Sequence, residues 1–231
     1  MTNSNFSPVR EWKNIEDFFF FLNKNITYVV LRNYECLPDK YTMKDHEDID
    51  LLVSSLDEFK IYVGGKNNSR LKFKGYSTIV KIDNEEVKLD IRYVGDGYYD
   101  SKWEKNILDN RVKEKDLFYR ADDYNYKYSL AYHSIFHKYK FSEEYSSRLA
   151  YMFGKVRKKL EAGEVFKLVD DFMRKKGYYV SEPRDIYVEF SNKYVKDICL
   201  FRRKALKLVL HFIYILKRLP YKIKELIWAK K

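Results

Sequence analysis

Hydrophobic residues change their period along this chain, from strand-like and mixed in the first half to helical in the second. Ile15 to Leu22 (IEDFFFFL) predicts a short aromatic helix, and Ile26 to Leu31 (ITYVVL) is a β-branched run suited to a buried strand. Asp48 to Val53 (DIDLLV) alternates acid with aliphatic and then runs apolar, as an interior strand does. Ser54, ahead of Leu56, Phe59 and Ile61, is the expected cap of a helix. Tyr76 to Ile82 and Val87 to Val94, separated by Asp83, Asn84, Glu85 and Glu86, form the pattern of an antiparallel hairpin, so the sheet is mixed.

From Asp122 the spacing becomes helical, over Tyr128 to Tyr139, Glu143 to Leu160 and Glu164 to Lys175, with Gly177 as a stop. Ile186 to Phe190 (IYVEF) reads equally as a short strand or a linker. Near the end, Lys204, Lys207, His211, Tyr214 and Arg218 fall on one line, while Leu206, Val209, Leu210, Phe212, Ile213 and Leu216 fill the rest of a helix. The apolar run from Leu208 to Leu216 is far short of the roughly twenty residues that span a bilayer. Such a surface either packs on the preceding helices or lies in the plane of an anionic membrane. The expected fold class is α+β: a small mixed β-sheet with flanking helices over residues 1–115, then a mostly helical region over 116–231 with the basic amphipathic helix at its end.

Composition adds order and charge to that outline. Of 231 residues 45% are hydrophobic, enough for a real core, and 22 Tyr and 16 Phe against 8 Gly and 4 Pro exclude a long disordered tract. Cys36 and Cys199 lie far apart without zinc-ligand spacing, and the start MTNSNFSPVREWKN lacks a signal-peptide core, so a reducing, cytoplasmic setting is the simplest reading. The net charge of +11 is concentrated after Lys193, where only Asp197 and Glu225 oppose the Lys and Arg residues. A basic tail attracts phosphates on nucleic acid, lipid or substrate without choosing among them.

The chemistry-bearing residues are acidic. Asp48 and Asp50, two apart on a strand, project from one face. At about 4 Å and an effective dielectric near 20 their repulsion is about 4 kcal/mol, so one takes up a proton or a cation sits between them, and Mg²⁺ with its oxygen ligands suits that place. Asp90, between Leu89 and Ile91 in VKLDIRYV, faces away from its apolar neighbours and can complete the site. Three carboxylates would hold one or two Mg²⁺ ions for displacement at phosphorus. Lys88 and Arg92 share the face of Asp90, to meet phosphate or to pair with the acids. His133 and His137 have the spacing of two zinc ligands but no third; with Lys138 they are a substrate-facing group or ordinary helix residues.

HEDIDLLV followed some forty residues later by VKLDIRY resembles the acidic pair and third acid of the DNA polymerase β-like nucleotidyltransferase superfamily. The longer run YVVLRNYECLPDKYTMKDHEDIDLLV, with YHSIFHKYKFSEEYSSRL downstream, is similar to nucleotidyltransferase-like proteins of bacterial surface-polysaccharide gene clusters. That likeness implies a nucleotidyltransferase α/β core, metal on Asp48, Asp50 and Asp90, and a nucleotide donor. It also implies a sugar or lipid-linked glycan acceptor, which an address at the inner face of the membrane, through the basic amphipathic helix, would suit. Superfamily members that bind triphosphates usually place a Gly-Gly or Gly-Ser turn after the first strand; here Leu31, Arg32 and Asn33 stand there, so Arg32 and Asn33 would hold the phosphates by side chain. Transfer of a phospho-alcohol from a CDP carrier, as in choline- and alditol-phosphate transferases, stays open. So does a catalytically idle fold serving as an interaction module. Nucleic-acid binding is the weakest rival, because the aromatics fall within apolar patterns and no RNP-like or helix-turn-helix signature is present.

Overall fold

The structure is a computed structural model that describes residues 10–45, 48–64, 66–67, 75–155, 159–195, 200–201, 203–213 and 215. The chain forms two compact units, Met1–Ser191 and Asn192–Lys231. The boundary expected near residue 115 falls inside the first unit, in the turn of a hairpin that joins the sheet.

That sheet is mixed and, among the described residues, has eight strands: β1 (Glu11–Trp12), β2 (Tyr28–Val30), β3 (Ile49–Val53), β4 (Lys66–Asn67), β5 (Tyr76–Ile82), β6 (Glu85–Tyr93), β7 (Val112–Glu114) and β8 (Phe118–Arg120). Their order is β1-β5-β6-β3-β2-β8-β7, with β4 also on β5. Parallel pairs β1/β5, β6/β3 and β2/β8 alternate with antiparallel pairs β5/β6, β3/β2 and β8/β7. The β5/β6 hairpin is tighter than the sequence suggested. Asp83 and Asn84 both take positive φ, 51° and 60°, the geometry of a two-residue turn whose twist matches the strands, and β6 therefore begins at Glu85.

Strand parity sorts the side chains between two faces. Tyr28 and Val30, Ile49, Leu51 and Val53, Val80 and Ile82, and Val87, Leu89 and Ile91 share one core with α1 (Ile15–Asn25) and α2 (Leu56–Tyr62), through Phe18, Phe19, Leu22 and Phe59. Asn14 caps α1, its side chain accepting the Asp17 amide at 2.8 Å. The cap of α2 is Ser55, not Ser54: the Ser55 hydroxyl accepts the Glu58 amide, while the Ser54 amide still bonds back to Thr27 at the end of the β2/β3 pair.

The opposite face carries the acids and is covered by α3 (Ser101–Asp109), which touches β2 and β3. Next come α4 (Asp123–Phe136), α5 (Glu143–Met152) and α6 (Ala162–Lys176), with α4 packed on both α5 and α6. The expected helix from Glu143 to Leu160 stops at Met152, capped by Phe153, and the Leu160 amide instead bonds to the Ser146 hydroxyl at 3.0 Å. Gly177 ends α6 in the left-handed region, φ 68°, where glycine is favoured. Much of the Tyr and Phe excess is spent here: Trp103, fully buried, meets Tyr99, Tyr132, Phe172 and Tyr178 with ring centroids 4.8 to 5.9 Å away. No strand forms at 186–190. Residues 178–191 run as a strap, held where the Tyr179 amide meets Asp100 Oδ2 at 3.0 Å, the Arg184 amide the Asp96 carbonyl at 2.8 Å and the Ser191 amide the Phe136 carbonyl at 2.8 Å.

In the second unit the described residues at 200–201, 203–213 and 215 are helical; Tyr214, Leu216 and Arg218 lie outside the described residues, as does Cys199. Cys36 is a free thiol. No helix among the described residues is long and apolar enough to cross a membrane.

Candidate active site

Strand register sets the centre of the site. In the parallel β3/β6 pair Asp50 lies beside Asp90, and Ser77 of β5 lies beside Asp90 on its other side, so three polar residues cross the helix-covered face in a row. Asp48 stands one residue before β3. The Leu31 amide donates to the Asp50 carbonyl at 2.9 Å, which fixes the chain so that Arg32 emerges over the same face.

Two cations neutralise these acids in different ways. Lys88, two residues from Asp90 on β6, puts Nζ 2.8 Å from Asp48 Oδ2 and 3.1 Å from Asp90 Oδ2; the three side chains keep 34%, 34% and 28% of their surface exposed. Arg32 grips Asp50 with two nitrogens, Nη2 to Oδ1 at 2.7 Å and Nε to Oδ2 at 3.2 Å, with side chains only 10% and 9% exposed. Burial opposes the charge on Arg32, but Asp50, together with Tyr98 and Tyr99, outweighs it and holds the guanidinium firmly protonated. For Asp48, burial is outweighed by Lys88 and the carboxyl lies below its usual range. For Asp90, burial prevails over Lys88, with Asp50 and Asp48 adding to it, and the carboxyl lies above that range.

Arg32 is anchored from behind. Its Nη1 donates to the Tyr98 hydroxyl at 2.8 Å and lies 3.4 Å from His133 Nδ1, and the Tyr98 hydroxyl is 2.6 Å from the same Nδ1. A guanidinium only donates, so the Tyr98 oxygen accepts from Arg32 and passes its own proton toward Nδ1; this assigns the His133 proton to Nε2. Burial, with Arg32 and His137 adding to it, holds the His133 pKa well below its usual value, so the ring is neutral. The His137 ring lies against Tyr98, tilted by 43° with centroids 4.0 Å apart, and 5.8 Å from the ring of His133.

Arg92 also lies against Tyr98, its Cζ 4.5 Å from the ring centre and its Nη1 3.6 Å from Asp185 Oδ2 of the strap. The strap passes close to two glycines. A Cβ on Gly75 would collide with the Asp185 carboxylate, and one on Gly97 would sit 2.5 Å from the Glu182 carbonyl oxygen. Gly95, Asp96 and Gly97 make the turn that carries Tyr98 back to Arg32. Beneath it the buried Glu104 carboxylate accepts the Gly95 amide at 2.7 Å and the Tyr99 amide at 3.1 Å, and burial together with Asp96 pushes its pKa to about 8.

Of the residues expected at the site, Asp48, Asp50, Asp90, Arg32, Lys88, His133, His137 and Arg92 therefore gather around one face. Asn33 is exposed in the left-handed conformation, φ 55°, ahead of a 3₁₀ turn, with no side-chain capping bond. Lys138 is exposed and reaches the group only as positive charge on His133. Sequence reasoning did not find Tyr98, Asp185 or Tyr145, whose ring lies 6.0 Å from His133. The Gly95-Asp96-Gly97 turn directly after the strand of Asp90 was the usable signal for Tyr98; Tyr145 lies within the run YHSIFHKYKFSEEYSSRL without being singled out there, and Asp185 had no signal.

Among the described residues no three carboxylate, imidazole or thiol groups converge into a ready metal cage. An oxygen-only donor set with one carboxyl already strained by its acidic neighbours nevertheless fits Mg²⁺, which is commonly held by one or two carboxylates, waters and substrate phosphates. Comparison with protein-family models, curated proteins and solved structures finds no match.

Proposed function

We propose that the protein is a Mg²⁺-dependent transferase that moves a nucleotidyl or related phospho group to a hydroxyl. The observation that carries this reading is the side-by-side register of Asp50 and Asp90 on parallel strands, with Asp48 joined to Asp90 through Lys88. Asp48, Asp50 and Asp90 would hold the metal, which when bound supplies neutralisation of phosphate charge and alignment for in-line displacement. Arg32, Lys88 and Arg92 bring three cations to the same face and would bind donor phosphates. Asp90, whose carboxyl is raised by burial, is the group suited to take the proton of an acceptor hydroxyl. His133, fixed as the neutral Nε2–H tautomer through Tyr98, would keep the Arg32 fork oriented. A nucleotide or CDP-linked donor and a sugar or lipid-linked glycan acceptor are supported by the motif resemblance alone.

The existing ion pairs also favour a second reading, an idle fold acting as an interaction module, because Arg32 and Lys88 already neutralise the acids. Thermal unfolding with CTP, ATP, CDP-alcohols and nucleotide sugars, each with and without Mg²⁺, separates the two. A Mg²⁺-dependent shift that disappears in Asp48→Asn/Asp50→Asn supports the transferase and names its donor class. No shift with any nucleotide leaves the interaction module standing.

A further inference from the structure

The helix of the second unit exposes an apolar stripe. Phe201, Ala205, Leu208, Phe212 and Ile215 follow one another at intervals of four and three residues, which aligns them along one line of a helix. Phe201 is 78% exposed, Leu208 70% and Phe212 62%, and Val209 and Ile213 extend the exposed apolar surface on one flank. Leu210 and Arg203, on the opposite side, are buried. At 100° per residue the arc from Ile215 round to Ile213 spans about 160°, much wider than the narrow seam by which two helices pair. Lys204 stands exposed on the other flank, and the sequence continues with Lys217, Arg218, Lys222 and Lys224.

We infer that this helix lies in the plane of an anionic lipid surface, with Phe201, Leu208, Phe212 and Ile215 in the interfacial region and Lys204, on its flank, toward the headgroups. Three features choose lipid over other occupants. The arc is broad and contains large aromatic and aliphatic side chains, the adjoining charge is positive, and the described helix is not long and apolar enough to cross the bilayer. The inference is independent of the transferase reading.

Sedimentation of the full chain with extruded vesicles tests it. Binding is expected to vesicles of phosphatidylcholine with about a third phosphatidylglycerol and to be much weaker to pure phosphatidylcholine. Leu208→Glu/Phe212→Glu should weaken binding at least about tenfold, and Lys217→Glu/Arg218→Glu about tenfold or more, with a steep dependence on salt. Both sets change exposed or flanking positions, and an unchanged Tm together with the graded variant Phe212→Ala guards against misfolding. No binding to anionic vesicles overturns the inference, as does equal binding to neutral ones. A concentration-dependent dimer dispersed by Leu208→Glu/Phe212→Glu, without vesicle binding, overturns it in favour of a second copy of the chain.

Discussion

Replacing Lys88 by Met should lower the stability of the free protein and tighten its grip on a divalent cation. The ammonium makes two contacts, 2.8 Å to Asp48 and 3.1 Å to Asp90. At about 3 Å a unit pair is worth about 1.4 kcal/mol in water and about 5.5 kcal/mol at a dielectric near 20. All three side chains are about a third exposed, so solvent screening brings each contact down to about 1 kcal/mol or less. Lys88→Met should therefore lose roughly 1 to 2 kcal/mol without metal, since its long apolar stem is kept while two carboxylates lose their counter-ion. The same contacts must be broken before a cation can take the carboxylates, so their removal should tighten binding by about five- to thirtyfold. Mn²⁺ titration followed by electron paramagnetic resonance reads the affinity, and thermal unfolding with and without Mg²⁺ reads the stability. Unchanged or weaker Mn²⁺ binding in Lys88→Met, or a stability loss that Mg²⁺ does not reverse, would refute the competition between ammonium and metal.

Arg32→Ala should cost about 3 to 5 kcal/mol, because it leaves Asp50 buried and unpaired and strips a donor from Tyr98; Arg32→Lys should recover little of this in urea unfolding, since an ammonium cannot reproduce the two-pronged contact. Gly97→Ala should cost roughly 2 kcal/mol or more, from φ 78° and the collision with the Glu182 carbonyl, whereas Gly163→Ala, with open space around it, should be near neutral. Glu104 rises from its usual 4.5 to about 8 on folding, through burial and Asp96. Between those values the folded state keeps a proton that the unfolded state has released, so its contribution is full below about 4.5 and is lost as pH rises toward about 8. Unfolding across that range should show the slope, and Glu104→Gln should flatten it.

How much of this was legible in the sequence follows from what each signal depends on. Period-two alternation placed Lys88, Asp90 and Arg92 on one face of β6, and DIDLLV placed Asp50 of β3 on the same side as Asp48 just ahead of it, because strand parity is local. The pairing of Asp50 with Asp90 needs the β3/β6 register, which local pattern does not encode. Serine caps depend on one residue's backbone, and Ser54 and Ser55 offer the same chemistry one position apart. The strands β7 and β8 are three residues each and find their place by β8 pairing with β2, ninety residues earlier in the chain; without that pairing the sheet reads as ending near residue 115. The strap from 178 to 191 has no periodicity, yet it supplies Asp185 to Arg92. The neutral state of His133 depends on burial and on Arg32, neither of which its four-residue spacing from His137 reveals.

The number of Mn²⁺ ions bound at low micromolar metal, counted by electron paramagnetic resonance for the wild type and for Asp50→Asn/Asp90→Asn, tests the central claim most directly. One or two ions on the wild type and none on the variant is the outcome expected of a carboxylate metal site. Equal binding by both proteins, or none by either, would contradict it.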